Sequence, residues 1–374
     1  MLEQGFICGG NRYVYDFYNN EEKSFILRNV TEHDREIKLK YNHPVDLAFE
    51  NKDFYTFFFS KKNLKESNIY MVHDERRKRI GWVIPIISLD STEHQFAQDE
   101  HFLRYSFIAA REALKNSTNE IYKKNIEKNN GIDIESLNIS ELFDDSTSVF
   151  IVSKETLPVE KIDNFDLGEY IPSFFSYGYV ELTKKDPSLL FFEQEIEETN
   201  IIKLHCASKD VGSIDYIRSM CSNVLPYESN AIFRFFYLYQ VIEMLMDIIL
   251  YEEHRCIVQE LATVAGDMSR IKELLDKLSE SASEKKRIKL LTEKYTSNQY
   301  NMDLLRQCCI ELLTDLGKEP ADGLAGFLYP IRNFIIHQFR NFPPECIGKL
   351  SDVTEEFIML LPSMLANFKI PNTQ

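Results

Sequence analysis

Two residue patterns divide this chain, and the change between them near Thr199 constrains the fold more than any other feature. Before it, short runs rich in aromatic and β-branched residues alternate with turn residues. Residues 5–8, 12–17, 24–30, 54–60, 69–72 and 79–88 are expected strands, separated by Gly9-Gly10, Asn19-Asn20 and the stretch 51–53. The run 79–88 carries the only tryptophan, Trp82, and Pro85, which suggests an edge strand or a bulge. Apolar residues at helical spacing predict a helix over 99–115. The polar stretch 116–145 is expected to form a short helix and an exposed connection. Strands resume at 149–152, 177–182 and 189–192.

After Thr199 the apolar residues follow helical periodicity. Helices are expected at 214–221, 230–253, 268–279, 284–295, 303–316, 324–340 and 347–368. The fold class is therefore α+β. A strand-rich module over 1–200 precedes an all-α bundle over 201–374. A chain of 374 residues is long for one core, which fits this division.

Composition narrows the function. The most apolar stretch, 232–251, contains Arg234, Gln240, Glu243 and Asp247, so it is expected to be a buried amphipathic helix and not a membrane span. The opening residues lack a basic start followed by an apolar run, so no secretory signal is expected. The seven cysteines (Cys8, Cys206, Cys221, Cys256, Cys308, Cys309 and Cys346) are odd in number and form no CxxC pair. Neither a disulfide framework nor a zinc knuckle is indicated, and a reducing cytoplasm is expected. The net charge of −16 argues against extensive non-specific binding to nucleic acid. Any RNA contact would be local or created by assembly.

The segment 329–342, YPIRNFIIHQFRNF, carries the chemistry. At 100° per residue, Arg332 at about 0° puts Asn333 near 100°, His337 near 140° and Arg340 near 80°. These polar groups share one arc, on which Ile336 intrudes. Ile331, Phe334, Ile335 and Phe339 are expected to face a core. Pro330 suits a first helical turn, and Pro343-Pro344 ends the helix. RNA cleaves when its 2′-hydroxyl attacks the adjacent phosphate. That reaction needs a proton acceptor, a proton donor and stabilisation of phosphorane charge. A histidine can serve as acid or base. An arginine fork matches phosphate oxygens, and an amide can position them. No metal or cofactor is required.

This segment resembles the RX4–6H motif of the HEPN superfamily in its RNxxxH form, and the upstream FRFFYLYQVIEMLMDIIL resembles the first long helix of Apea-like HEPN domains. The resemblance implies a helical bundle, usually a homodimer, in which two motif helices face each other across a two-fold axis. The composite site would use Arg332, Asn333 and His337 from each protomer, with Glu243 facing the motif and Arg340 in support. It implies a metal-independent endoribonuclease acting on tRNA or other cellular RNA such as mRNA, often a toxin or effector of bacterial defence against phage. The N-terminal module would then sense a phage-derived or protein trigger. The other reading is a catalytically inactive HEPN-like protein used for dimerisation or for binding RNA or a partner.

Other candidates are weaker. Asp90, His94, Asp99, Glu100 and His101 cluster without a known metal-ligand spacing. His205 and Cys206 are adjacent, so on a strand they would point to opposite faces. Cys308-Cys309 is expected as core filler. The aromatic run 54–59 is expected to be covered on both faces, against its use as a base-stacking platform. Lys285, Lys286 and Arg287 form the best basic surface of the second half for a phosphate backbone, although a solvated helix face explains them as well.

Overall fold

The computed structural model describes residues 5–43, 53–115, 123, 136–182, 185–196, 200–211, 214–264, 266–296 and 302–371. The chain forms two compact units. The first comprises Met1–Leu167 with Tyr177–Leu204, and the second comprises Gly168–Ser176 with His205–Gln374. The segment Gly168–Ser176, expected in the strand-rich module, therefore belongs to the helical unit.

The strands of the first unit are β1 (Phe6–Cys8), β2 (Asn11–Asn19), β3 (Ser24–Asn29), β4 (Glu36–Lys40), β5 (Phe54–Ser60), β6 (Tyr70–His73), β7 (Arg79–Pro85), β8 (Ser136–Leu137), β9 (Thr147–Ser153), β10 (Val180–Glu181) and β11 (Ile201–Lys203). One sheet has the order β1-β2-β3-β4-β8 and the other β10-β5-β9-β7-β6-β11. Gly9 and Gly10 both take positive φ, 55° and 77°, as a two-residue hairpin turn requires, and they close β1 onto β2. Helix α1 (Glu100–Lys115) is capped by Asp99, whose carboxylate accepts the Phe102 N–H at 2.8 Å.

Period-two alternation builds the core. Phe25, Leu27, Ile37 and Leu39 of one sheet, Trp82, Ile84, Val149 and Ile151 of the other, and Phe102, Phe107 and Ile108 of α1 form one buried cluster. Gly81 lets β7 approach β9, since a Cβ there would lie 1.9 Å from the Ile151 carbonyl oxygen. The run at β5 is covered on both faces: Phe54 meets Tyr105 on one, while Tyr55 and Phe57 lie against Phe165 on the other.

Several strand expectations need correction. Strand β7 is interior, and Pro85 is its last residue, beyond the end of the β6 pairing at Val83, so its missing N–H costs that ladder nothing. Strands β4 and β11 were not anticipated, and β11 joins β6 in parallel. Residues 189–192 form no strand; a 3-10 turn over Pro187–Leu189 leads into an extended segment. Most of the short helix and connection expected over 116–145 falls at 116–122 and 124–135, outside the described residues.

In the second unit, α2 (Ile171–Ser176) and α3 (Ile214–Ser219) precede α4 (Ala231–Thr263), α5 (Met268–Ser281), α6 (Glu284–Leu290), α7 (Asp303–Asp315), α8 (Leu324–Gln338) and α9 (Ile347–Asn367). Helix α9 packs against α2, α4 and α7. Asn230 caps α4, its Oδ1 accepting the Ile232 N–H at 2.9 Å. No Gly or Pro interrupts the sequence before Gly266, so α4 runs past the expected end at residue 253. Among the described residues no helix is long and apolar enough to cross a membrane.

Candidate functional site

Helix α8 carries the motif. It begins at Leu324, so Pro330 lies inside the helix and not in its first turn as expected. Proline offers no N–H to the Gly326 carbonyl four residues back, and the Ala321 N–H bonds that oxygen instead, at 3.2 Å. Gly326 permits this close turn, because a Cβ there would sit 2.2 Å from the Ala321 carbonyl oxygen. Ile331 and Ile335 anchor the helix in the core. Burying each contributes roughly 2–3 kcal/mol.

That anchoring turns Arg332 toward α4 and α6. Its Nη2 donates to Glu243 Oε1 at 2.9 Å and lies 3.8 Å from Glu284 Oε1. Its Nη1 donates to Asn333 Oδ1 at 3.2 Å. The guanidinium carbon sits 5.6 Å from the centroid of the buried Tyr239 ring. Partial burial works against the charged guanidinium, but the hydrogen bond to Glu243 and the Glu284 and Glu243 charges outweigh it, so the pKa of Arg332 is raised. Glu243 is held in turn by Gln240 Nε2 at 2.8 Å, and the Tyr239 hydroxyl donates to Glu284 at 3.2 Å. Burial and then Glu284 push the Tyr239 hydroxyl up, so it remains a donor.

The structure thus brings together Arg332, Asn333 and Glu243. His337 lies one turn further on, exposed, with no hydrogen bond among the described residues. Helical geometry places it about 40° round the axis from Asn333 and about 140° from Arg332. The helix tightens into a 3-10 turn over Phe339–Asn341, which leaves Arg340 exposed. Phe339, expected to face the core, lies at the start of this turn and outside the core. Phe339 is 49% exposed and stacks on Phe233, itself 45% exposed, with ring centroids 6.4 Å apart.

The basic candidates on α6 are mostly engaged. Lys286 pairs with Glu280 and Arg287 with Asp247 at 3.4 Å, while Lys285 is exposed. The residues that sequence reasoning missed are Tyr239, Gln240 and Glu284. Gln240 stands three residues before Glu243, a spacing that signals a neighbour on one helix face; Glu284 has no such signal. Beside Glu243, an open cleft of about 680 Å³ runs along α4 past Gln240, Met244, Asp247 and Tyr251, with Tyr216 opposite.

The remaining candidates have structural roles. The Asp90 carboxylate accepts the Ile139 and Ser140 N–H groups, at 2.9 Å each, and His94 lies edge-on to Phe102. Among the described residues no group of three or more His, Cys, Asp or Glu is arranged to hold a metal ion. The Cys206 thiol donates to Glu169, Cys309 is buried, and Cys308 is half-buried.

No protein-family model matches the chain, no curated protein matches it, and no solved structure matches it.

Proposed function

We propose that the helical unit is a metal-independent endoribonuclease of HEPN type that works as a homodimer in the cytoplasm. The observation that carries the reading is the division of labour on α8. Arg332 is oriented by Glu243, Asn333 is bonded to Arg332, and His337 is exposed on the next turn; among the described residues neither Asn333 Nδ2 nor His337 has a partner. In this reading Arg332 and Asn333 hold the scissile phosphate, with donors of the guanidinium fork still unused. His337 of one copy takes the proton of the attacking 2′-hydroxyl as the P–O5′ bond breaks, or, protonated, supplies one to the leaving 5′-oxygen, with water or the second His337 of the dimer making the other transfer. Arg332 and His337 of one protomer stand about 140° apart on the helix, so a single phosphate is served by Arg332 of one copy and His337 of the other. The exposed Ile336 and Phe339 beside His337, with Phe233, suit the packing of a second copy there. Cellular RNA, tRNA or mRNA, would be the substrate, and defence against phage the setting. The strand-rich unit would take the trigger.

The alternative is an inactive HEPN-like module for dimerisation or for binding RNA or a partner. It is favoured by the charge of Arg332 being matched by two carboxylates, Glu243 and Glu284, and by the net charge of −16. Induced expression in bacteria separates the two. The nuclease reading expects growth arrest with wild type that Arg332→Ala relieves. Arrest that is equally strong with Arg332→Ala, at equal protein level, contradicts it.

A further inference from the structure

The strand-rich unit holds a lysine-lined cleft of its own, apart from the residues of α8. Strand β5 ends into Lys61, Lys62 and Asn63, with Lys65 two places on. Lys61 is 5% exposed. Its ammonium donates to the Tyr177 carbonyl at 2.7 Å and the Gln194 carbonyl at 2.5 Å, and lies 5.1 Å from the Tyr179 ring centroid. Among the described residues no carboxylate pairs with it. Gly178, at φ 78°, keeps the space open, since a Cβ there would fall 2.8 Å from the Lys61 nitrogen. Burial holds the ammonium below the ordinary lysine range, at about 8, although Glu193 and Glu195 act to raise it. Two backbone carbonyls and the Tyr179 ring, in place of a direct carboxylate partner, hold this cation. It thereby brings positive charge to the edge of a cleft that Lys62 and Lys65 also line.

The cleft is about 150 Å³ and polar. Lys61, Lys62, Lys65, Asn63, Asn68 and Tyr70 bring donors to it. The volume equals that of about five waters, room for a phosphate group or two but not for a whole nucleotide. Four of these are already engaged: Lys61 by the Tyr177 and Gln194 carbonyls, Asn68 by the Tyr70 hydroxyl at 3.0 Å, and Lys62 and Asn63 by Glu193. Glu193 accepts from Asn63 Nδ2 at 2.6 Å and stands 3.9 Å from Lys62 Nζ. Glu193 lies on the extended segment 190–196, which joins no sheet. The buried Leu190 and Phe192 anchor it, with the Lys62 bond to the Phe191 carbonyl at 3.3 Å. Lys65 is exposed, and among the described residues its side chain has no partner.

We propose that this cleft binds the phosphate or pyrophosphate group of a small phosphorylated ligand, and that Glu193 is a resident competitor that yields Lys62 and Asn63 when the phosphate enters beside Lys61 and Lys65. The small volume and the flanking Glu193 and Glu195 favour a compact anion over a nucleic-acid backbone.

The test is calorimetric titration of the full chain with sodium pyrophosphate at low ionic strength. Saturable binding is expected. Lys65→Ala, at an exposed position that cannot disturb folding, should weaken it roughly three- to tenfold. Glu193→Gln should tighten it by a similar factor, a gain that a purely structural role for this segment does not produce. A short oligouridylate should bind more weakly than pyrophosphate. Absence of binding by both wild type and Glu193→Gln at about 10 mM pyrophosphate overturns the proposal. So does binding that both substitutions leave unchanged, or equal binding of the oligouridylate.

Discussion

The Arg332–Glu243 pair holds the motif helix in a defined orientation, and its strength can be worked from the geometry. At 2.9 Å the gross attraction is about 6 kcal/mol at an effective dielectric of about 20. Desolvation takes back most of this, since the two side chains are only 20% and 30% exposed. A charged hydrogen bond then contributes about 1.5–3 kcal/mol net. The single substitutions should be unequal. Glu243→Gln keeps an acceptor and leaves Glu284 at 3.8 Å, so it should cost about 1 kcal/mol. Arg332→Met keeps the apolar stem near Tyr239 but strands two carboxylates without a cation, and should cost about 2–3 kcal/mol. Urea unfolding followed by far-ultraviolet circular dichroism, with both singles and the double, gives the coupling energy. We predict about 1.5–2 kcal/mol, little changed by salt because the pair is mostly shielded. Coupling below about 0.5 kcal/mol, or a Glu243→Gln cost equal to that of Arg332→Met, would refute the view that Glu243 orients the arginine.

Three further outcomes follow from the packing. His43 is 1% exposed, and among the described residues neither ring nitrogen makes a hydrogen bond of good geometry, the Ser88 and Ser91 backbone lying near but acting only weakly, so His43→Phe should stabilise the strand-rich unit by about 1–3 kcal/mol in urea titrations followed by Trp82 fluorescence; a loss of stability would contradict this. Burial and the neighbouring His94 lower the pKa of His43, with the Ser88 and Ser91 backbone opposing, and burial lowers that of His94, with Glu66 and Ser91 opposing. The unfolded chain therefore binds more protons, so stability should be full above about pH 6.5 and fall as the pH drops below it, a slope that a pH series of urea midpoints measures and His43→Phe should flatten. Gly326→Ala should cost about 1–3 kcal/mol, read as a lower thermal midpoint, because its Cβ would meet the Ala321 carbonyl oxygen at 2.2 Å; an unchanged midpoint would show that the turn before α8 relaxes freely.

The division into a strand-rich and a helical part was legible because the two periodicities, two and 3.6 residues, are written in the apolar positions themselves. Strand β4, EIKLK, escaped because five residues with two apolar ones give too short a signal, and β11 because its three residues gain meaning only beside β6. The arc of the motif was legible as far as the helix continues. Beyond Gln338 the helix gives way to a 3-10 turn, and Phe339, expected at the edge of the core face, is 49% exposed. Glu284 could not be found in the sequence, since it opens a basic helix whose packing against α4 and α8 is a tertiary fact. Lys61 was equally hidden. Nothing in KKN tells which lysine is buried until Tyr177 and Gln194 are brought to it.

The central claim is that α8 cuts RNA through His337. The most direct measurement incubates purified wild type and His337→Ala with total tRNA in EDTA and maps the ends of the fragments. Cleavage by wild type that leaves 2′,3′-cyclic phosphate ends, lost in a His337→Ala protein with an unchanged circular dichroism spectrum, is the predicted result. Cleavage by His337→Ala as fast as by wild type would contradict the account.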